Sequence, residues 1–77
     1  MPSNVVGAQV RKIRDAHVWS QEMLAARCNR YGWDVSRGTV AKLEAKIRCV
    51  NDEELRILAR ALKVSVDDLY PESGRGR

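Results

Sequence analysis

The sequence predicts an all-α fold, a compact five-helix bundle in one small domain. Its 77 residues are enough for a single domain only. Residues that cap helix N-termini precede segments in which apolar residues recur at helical spacing. The clearest apolar stripe consists of Leu55, Leu58, Ala59 and Leu62. Hydrophobic residues make up 44% of the chain and Phe is absent, so the core is expected to be mainly aliphatic.

Helix 1 is predicted over about residues 5–16, with Asn4 as its candidate N-cap. Its inward face is expected to contain three apolar residues at spacings of four and three, namely Val6, Val10 and Ile13. This pattern is typical of an amphipathic helix that packs one face on a core.

Helix 2 is predicted to begin after Ser20, a good N-cap, and to end near Arg30. Trp19 and Leu24 occupy the two positions of a hydrophobic staple, so the preceding chain is expected to pack on the first turn. Gly32 is suited to the turn after the helix, because glycine adopts positive φ without strain.

Helix 3 is predicted over about residues 36–45. Helix 4 begins near Asn51, which has capping-box spacing to Glu54. A short helix 5 is predicted over about residues 66–69 and is stopped by Pro71. Residues 1–70 are therefore expected to form the domain, and residues 71–77 a flexible tail.

Basic residues are concentrated in the first part of the chain, which has a formal net charge of +4 and a pI of about 9.5. Residues 1–48 contain nine Lys or Arg against four Asp or Glu, whereas residues 49–72 contain three against six. This distribution favours an anionic partner such as nucleic acid, bound by the amino-terminal half. A solvated basic surface explains the charge equally well.

Neither catalysis nor a bound cofactor or metal is expected. A domain of this size has no room for both a core and a deep cleft, and no nucleophile–His constellation is evident. Cys28, Cys49 and the single His17 are too few for a four-ligand zinc site. No signal peptide or membrane-spanning run is evident, so the protein is expected in the cytoplasm, with free thiols and no membrane contact. His17 is expected to be exposed in a loop.

Residues 20–46 are the most informative about function. Ala25 is small enough to let helix 3 cross helix 2 closely at a steep angle. With Val40 and Leu43 facing inward, the projecting face of helix 3 is expected to contain Arg37, Gly38, Ala41 and Lys42.

The chain resembles a known family over about residues 6–70. The shared features are the order and spacing of Ile13-Arg14, Trp19-Ser20-Gln21-Glu22-Met23-Leu24-Ala25, Val35-Ser36-Arg37-Gly38-Thr39-Val40, Leu43-Glu44 and Ala61-Leu62-Lys63-Val64-Ser65. They resemble the Cro/phage-repressor (Xre-type) helix-turn-helix family, in its longer-turn branch. The resemblance implies a lambda-repressor-like bundle in which helices 2 and 3 form the helix-turn-helix and helix 3 enters the DNA major groove.

The resemblance also implies roles for single residues. Base contacts are expected from Ser36, Arg37, Gly38, Thr39 and Lys42. Gln21 matches a phosphate contact, and Lys46 and Arg48 are further phosphate candidates. Arg14 and Glu44 match an ion pair that fixes helix 3 against helix 1 and is structural. Arg37 is the first choice for base readout, because Arg binds guanine O6 and N7 with two hydrogen bonds.

Three features depart from the usual family pattern. The link between helices 2 and 3 contains an extra segment at about residues 30–34. Gly38 stands where many relatives have a base-reading side chain. Ala45, Lys46 and Ile47 stand where a glycine turn is usual.

The preferred hypothesis is a sequence-specific transcriptional regulator that binds double-stranded DNA, as a dimer on a pseudo-palindromic site. A dimer is expected to use helix 5 near Leu69 and Tyr70, or to form on DNA. An alternative is a protein-binding module of antitoxin or anti-regulator type, with a partner of unknown identity and an apolar patch that includes Tyr31 and Trp33. RNA binding is a third reading. Trp33 is expected to cover the core under the inserted loop or to be exposed for that partner.

Overall fold

The computed structural model describes residues 5–70. The predictions for Asn4, Pro71 and the tail at residues 71–77 lie outside these residues. The described part contains α1 (Gly7–Ala16), α2 (Gln21–Arg30), α3 (Arg37–Glu44), α4 (Asp52–Leu62) and a 3-10 helix (Val66–Leu69), and no strand. The predicted all-α class is confirmed. The predicted fifth helix is a single 3-10 segment instead of a further α-helix.

Side-chain caps fix where four of these elements begin. The Ser20 hydroxyl accepts from the backbone N–H of Met23, and that of Ser36 accepts from Thr39. Asn51 and Glu54 form a complete capping box at the start of α4, and the 3-10 helix has one as well. α1 begins at Gly7, two residues later than predicted, and it has no side-chain cap bond because its N-cap is Val6. The starts of the other four elements therefore follow from local hydrogen bonding.

The core is aliphatic, as the composition predicts. Its largest fully buried side chains are Leu24, Leu43, Leu58, Leu62, Leu69, Val10 and Val40. α2 packs against α3 and α4, and α1 packs against the same two helices. Ala25 is buried where α2 meets its neighbours. Burial also raises the pKa of the Cys28 thiol to about 11, so this thiol stays protonated at neutral pH.

Each of the four α-helices is followed by a residue with positive φ, and only Gly32, at 92°, is a glycine. Val18, Lys46 and Lys63 have φ angles of 63°, 65° and 63°. The residue after each of these positive-φ residues donates its backbone N–H to the carbonyl five residues earlier, as Trp19 N does to Arg14 O at 3.2 Å. The chain thus makes glycine-type helix ends with three non-glycine residues, each strained by about 1 kcal/mol or more.

Candidate nucleic-acid interface

A buried ion pair joins the end of α1 to the end of α3. Arg14 Nε lies 2.7 Å from Glu44 Oε2, and Nη2 lies 3.0 Å from Oε1. The two side chains are only 9% and 3% exposed, and the hydrogen bond to Glu44 raises the pKa of Arg14. Arg14 Nη1 also donates to the carbonyl of Trp19 at 2.7 Å. The pair therefore fixes α3 relative to α1 and to the loop that precedes α2.

Gln21, the first residue of α2, contacts the same carboxylate. Its Nε2 donates to Glu44 Oε1 at 3.0 Å. A primary amide has two N–H groups, so this bond engages one of its two donors. The side chain is half-buried at the α2 terminus that faces α3. The start of α2 and the end of α3 are thus joined by a charge-assisted hydrogen bond.

The first turn of α3 presents Arg37 and Gly38 to solvent, and Lys42 is exposed one turn later. The Ser36 hydroxyl lies 3.3 Å from both the backbone nitrogen and the hydroxyl of Thr39, so these two hydroxyls are engaged with each other. Val40 and Leu43 are buried on the opposite face. The helix therefore separates a core face from an exposed face that has two cationic side chains.

Gly38 is not required by the packing of the protein itself. A Cβ atom placed on Gly38 would meet only the Ser36 hydroxyl, at an ordinary 3.7 Å. Gly38 lies within α3 and has no positive φ. Glycine is a poor helix former, so its presence lowers helix stability without a compensating internal contact.

The turn after α3 exposes Lys46 and Ile47. Lys46 has φ 65°, and its N–H donates to Leu43 O at 3.0 Å. The N–H of Ile47 donates to Lys42 O at 2.9 Å, and its side chain is 75% exposed. The missing glycine noted in the sequence is therefore replaced by Lys46, which adopts the left-handed conformation itself.

Arg48 is bound into the loop between α3 and α4. Its Nη1 and Nη2 donate to the two oxygens of Glu54 at 3.0 and 2.8 Å, and Nη1 also donates to Cys49 O. The pairing raises the pKa of Arg48 and lowers that of Glu54. The guanidinium carbon lies 5.7 Å from the centre of the Trp33 ring. Arg48 thus links the α2–α3 connection to the start of α4.

The connection between α2 and α3 is ordered by one asparagine. Asn29 Nδ2 donates to Trp33 O at 2.8 Å and to Val35 O at 3.1 Å. Val35 is buried and Trp33 packs half-buried against the core, whereas Tyr31 is 43% exposed. α2 ends at Arg30, so the extra residues form a folded-back loop instead of a longer helix.

A model of the family described as helix-turn-helix matches residues 10–69 of the chain. The protein belongs to the Xre/Cro-type helix-turn-helix family. Proteins of this family are typically DNA-binding regulators. No curated protein and no solved structure matches the chain.

The sequence did not indicate that His17 and Arg27 contact the end of α4 in this helix-turn-helix domain. The expectation of an exposed loop histidine is wrong, because His17 is half-buried and its Nε2–H donates to Leu62 O at 2.9 Å. The His17 ring stacks on the Trp19 ring, with the two ring centres 4.2 Å apart. The guanidinium carbon of Arg27 lies 4.3 Å from the centre of the Trp19 ring, and Arg27 Nε donates to Ala61 O. These two side chains satisfy carbonyls at the end of α4. The partners are more than thirty residues apart in sequence, so no local signal reveals them.

Within residues 5–70 of the helix-turn-helix protein, no helix has the length and apolar character needed to cross a membrane. The same residues contain no cluster of His, Cys, Asp and Glu able to bind a metal ion.

Proposed function

We propose that this protein is a sequence-specific DNA-binding transcriptional regulator in which α2 and α3 are the reading unit and α3 enters the major groove. The supporting observation is the exposed first turn of α3 on a helix fixed by the buried Arg14–Glu44 pair. A rigid helix with exposed donors at its start suits readout of base edges, because small displacements weaken bidentate contacts.

Base readout is assigned to the start of α3. Arg37 is proposed to bind a guanine, and Lys42 to reach a base one turn further along. Ser36 and Thr39 are proposed to contact base edges beside them, and their shared hydrogen bond orients both hydroxyls. Gly38 is proposed to allow the helix backbone to approach the DNA closely.

Phosphate contacts are assigned to the two ends of the reading unit. Gln21 is proposed to use its second amide donor at the start of α2, where backbone N–H groups also favour an anion. Lys46 projects from the turn after α3 and is proposed to contact a neighbouring phosphate. Arg48 stays a predicted phosphate contact, although its terminal nitrogens bind Glu54.

Two copies are proposed to bind a pseudo-palindromic site with half-sites about 34–36 Å apart. The dimer surface expected near helix 5 needs a correction, because Leu69 is fully buried within its own domain. Tyr70 also packs partly against the core. The alternative function as a protein-binding module is not favoured, because Trp33 packs on the core instead of forming an exposed patch with Tyr31.

Salt dependence of binding to a site selected from a random DNA library tests the proposal. Lys46→Gly is expected to reduce the magnitude of the slope of log K against log salt by about 1, because one phosphate contact is lost. The same substitution is expected to stabilise the fold by up to about 1 kcal/mol, because it removes left-handed strain at a non-glycine residue. Unfolding by urea and binding by fluorescence anisotropy measure the two effects.

Lys63→Gly is the matched control, because Lys63 has nearly the same φ at the end of α4. It is expected to stabilise the fold similarly and to leave the salt slope unchanged. Equal changes in slope for both variants would contradict a phosphate contact by Lys46. Salt-independent binding of the wild type would contradict the proposed function itself.

Gly38→Ala is expected to have opposite effects on the stability of the free protein and on its affinity for DNA. The free protein is expected to gain up to about 1 kcal/mol of stability, because alanine favours helix and no internal clash arises. DNA affinity is expected to fall by about tenfold, because the added methyl group overpacks a close contact. Thermal unfolding and anisotropy report the two changes. Unchanged affinity in the stabilised variant would show that α3 does not approach DNA closely at Gly38.

A further inference from the structure

Side-chain hydrogen bonds link α2 to both ends of α3. At one end, Gln21 Nε2 donates at 3.0 Å to Glu44, the last residue of α3. At the other end, Asn29 Nδ2 donates at 3.1 Å to the carbonyl of Val35, which directly precedes the Ser36 N-cap. Gln21 and Asn29 are about 12 Å apart along α2, since a helix rises about 1.5 Å per residue. The start of α3 is therefore bonded to α2 separately from its end.

The bond to Val35 fixes the peptide group from which α3 begins. Val35 O belongs to the planar peptide that joins Val35 to Ser36, so its direction sets that of the Ser36 N–H. Ser36 then caps α3 by accepting from the backbone N–H of Thr39, and Arg37 is the first helical residue. A rotation of this peptide plane changes the direction in which the first turn of α3 leaves the connection. Asn29 therefore constrains the segment that contains the proposed base-reading side chains.

Asn29 also bonds a second carbonyl in the same connection. Its Nδ2 lies 2.8 Å from Trp33 O, so both hydrogens of the amide nitrogen are engaged. Because both acceptors are carbonyl oxygens, the nitrogen of the amide and not its oxygen faces the connection. These two bonds hold the extra residues between α2 and α3 against the helix that precedes them.

The contribution of these bonds to the stability of the fold is modest. Asn29 is exposed, and its bond to Trp33 O lies at the surface, so water replaces the donor when the side chain is removed. Burial of Val35, Val40 and Leu43 holds α3 on the core in any case. The main effect of Asn29 is therefore on where the first turn of α3 lies, and only secondarily on whether the domain folds.

We infer that Asn29 is a positioning residue for base readout. By fixing the peptide between Val35 and Ser36, it holds Arg37 in the orientation in which a bidentate contact to a base forms. Such a constellation tolerates displacements of only about 0.5 Å or 10–20°. A small movement of the first turn thus weakens base preference although no DNA contact is removed. The inference rests on the proposed function, because it names a residue through which α3 reads its site without touching it.

Asn29→Ala in the full chain tests this role, with binding measured on the site selected from a random DNA library and on its single-base variants. Discrimination at the base pair read by Arg37 is expected to fall by about fivefold or more. Affinity for random DNA is expected to change by less than about twofold, because no charge is removed. A loss of folded protein would instead lower binding to both kinds of DNA alike.

A double-mutant cycle with Arg37→Ala identifies the side chain through which Asn29 acts. In the Arg37→Ala background, Asn29→Ala is expected to change discrimination at that base pair by less than about twofold, because the positioned contact is already absent. Losses that multiply in the double variant would contradict the inference, since they would show that the two side chains act independently.

Ser65→Ala is the matched control, because it also removes an exposed hydrogen bond from a side chain to the backbone, at the cap of the 3-10 helix. Asn29→Ala and Ser65→Ala are each expected to lower the melting temperature by about 4–8 °C. Ser65→Ala is expected to retain full base discrimination. Unchanged discrimination in Asn29→Ala, or an equal loss in Ser65→Ala, would overturn the inference alone. A wild type that binds every sequence equally would overturn the proposed function with it.

Discussion

Glu44→Ala is expected to destabilise the domain by about 3–5 kcal/mol, because it leaves the buried guanidinium of Arg14 with only the exposed carboxylate of Asp15, at 3.4 Å. Both side chains are almost inaccessible to water, so solvent cannot replace the lost partner. A small domain has only about 5–15 kcal/mol of total stability. The loss is therefore large enough to populate unfolded protein at ambient temperature, and urea titration monitored by tryptophan fluorescence measures it.

A double variant separates the charge effect from the packing effect. Arg14→Met combined with Glu44→Leu is expected to cost less than either single substitution, because no unpaired charge remains in the core. Glu44→Gln tests the case in which Glu44→Ala fails to fold, since it retains a hydrogen-bond acceptor for Arg14. Additive costs in the double variant would show that the two side chains do not stabilise each other.

Arg37→Ala is expected to reduce discrimination at one base pair by about 1–3 kcal/mol, which is about fivefold to more than a hundredfold in relative affinity. Arg37 is exposed and makes no ion pair within residues 5–70, so the stability of the free fold is expected to stay nearly constant. Competitive binding against every single-base variant of the selected site measures the effect. The preference should be lost at one position and retained at the others.

Arg37→Lys is the matched control, because it retains the positive charge and lacks the planar pair of donors. It is expected to restore non-specific affinity while leaving the base preference weak. A uniform loss of affinity across all sequences in Arg37→Ala would instead identify Arg37 as a phosphate contact.

Local sequence was sufficient for most of the helix starts. Ser20, Ser36 and Asn51 cap α2, α3 and α4 because each side chain bonds a backbone N–H only three residues away. The inward residues also followed from spacing alone, as with Val40 and Leu43. Helix ends were less evident, because Val18 and Lys46 adopt a backbone conformation that their residue types disfavour.

The proposed site was only partly evident from sequence. The resemblance named Arg14 with Glu44, and the structure places both in contact across thirty residues. It gave no sign that Arg48 binds Glu54 and lies over Trp33, or that His17 bonds the end of α4. Those contacts depend on how the helices are arranged, and the local spacing of residues in one sequence does not reveal such arrangements.

The sequence by itself determined the all-α class, the starts of α2, α3 and α4, the aliphatic core and the family. Each of these depends on residue type and on spacings within one or two helical turns. Tertiary structure alone decided which of the candidate contact residues face solvent. It also decided that Gln21 and Arg48 are hydrogen-bonded to carboxylates of Glu44 and Glu54. It also decided that Leu69 is buried. The physical reason is that burial and long-range hydrogen bonds depend on distances between helices, which are set only when the core has packed.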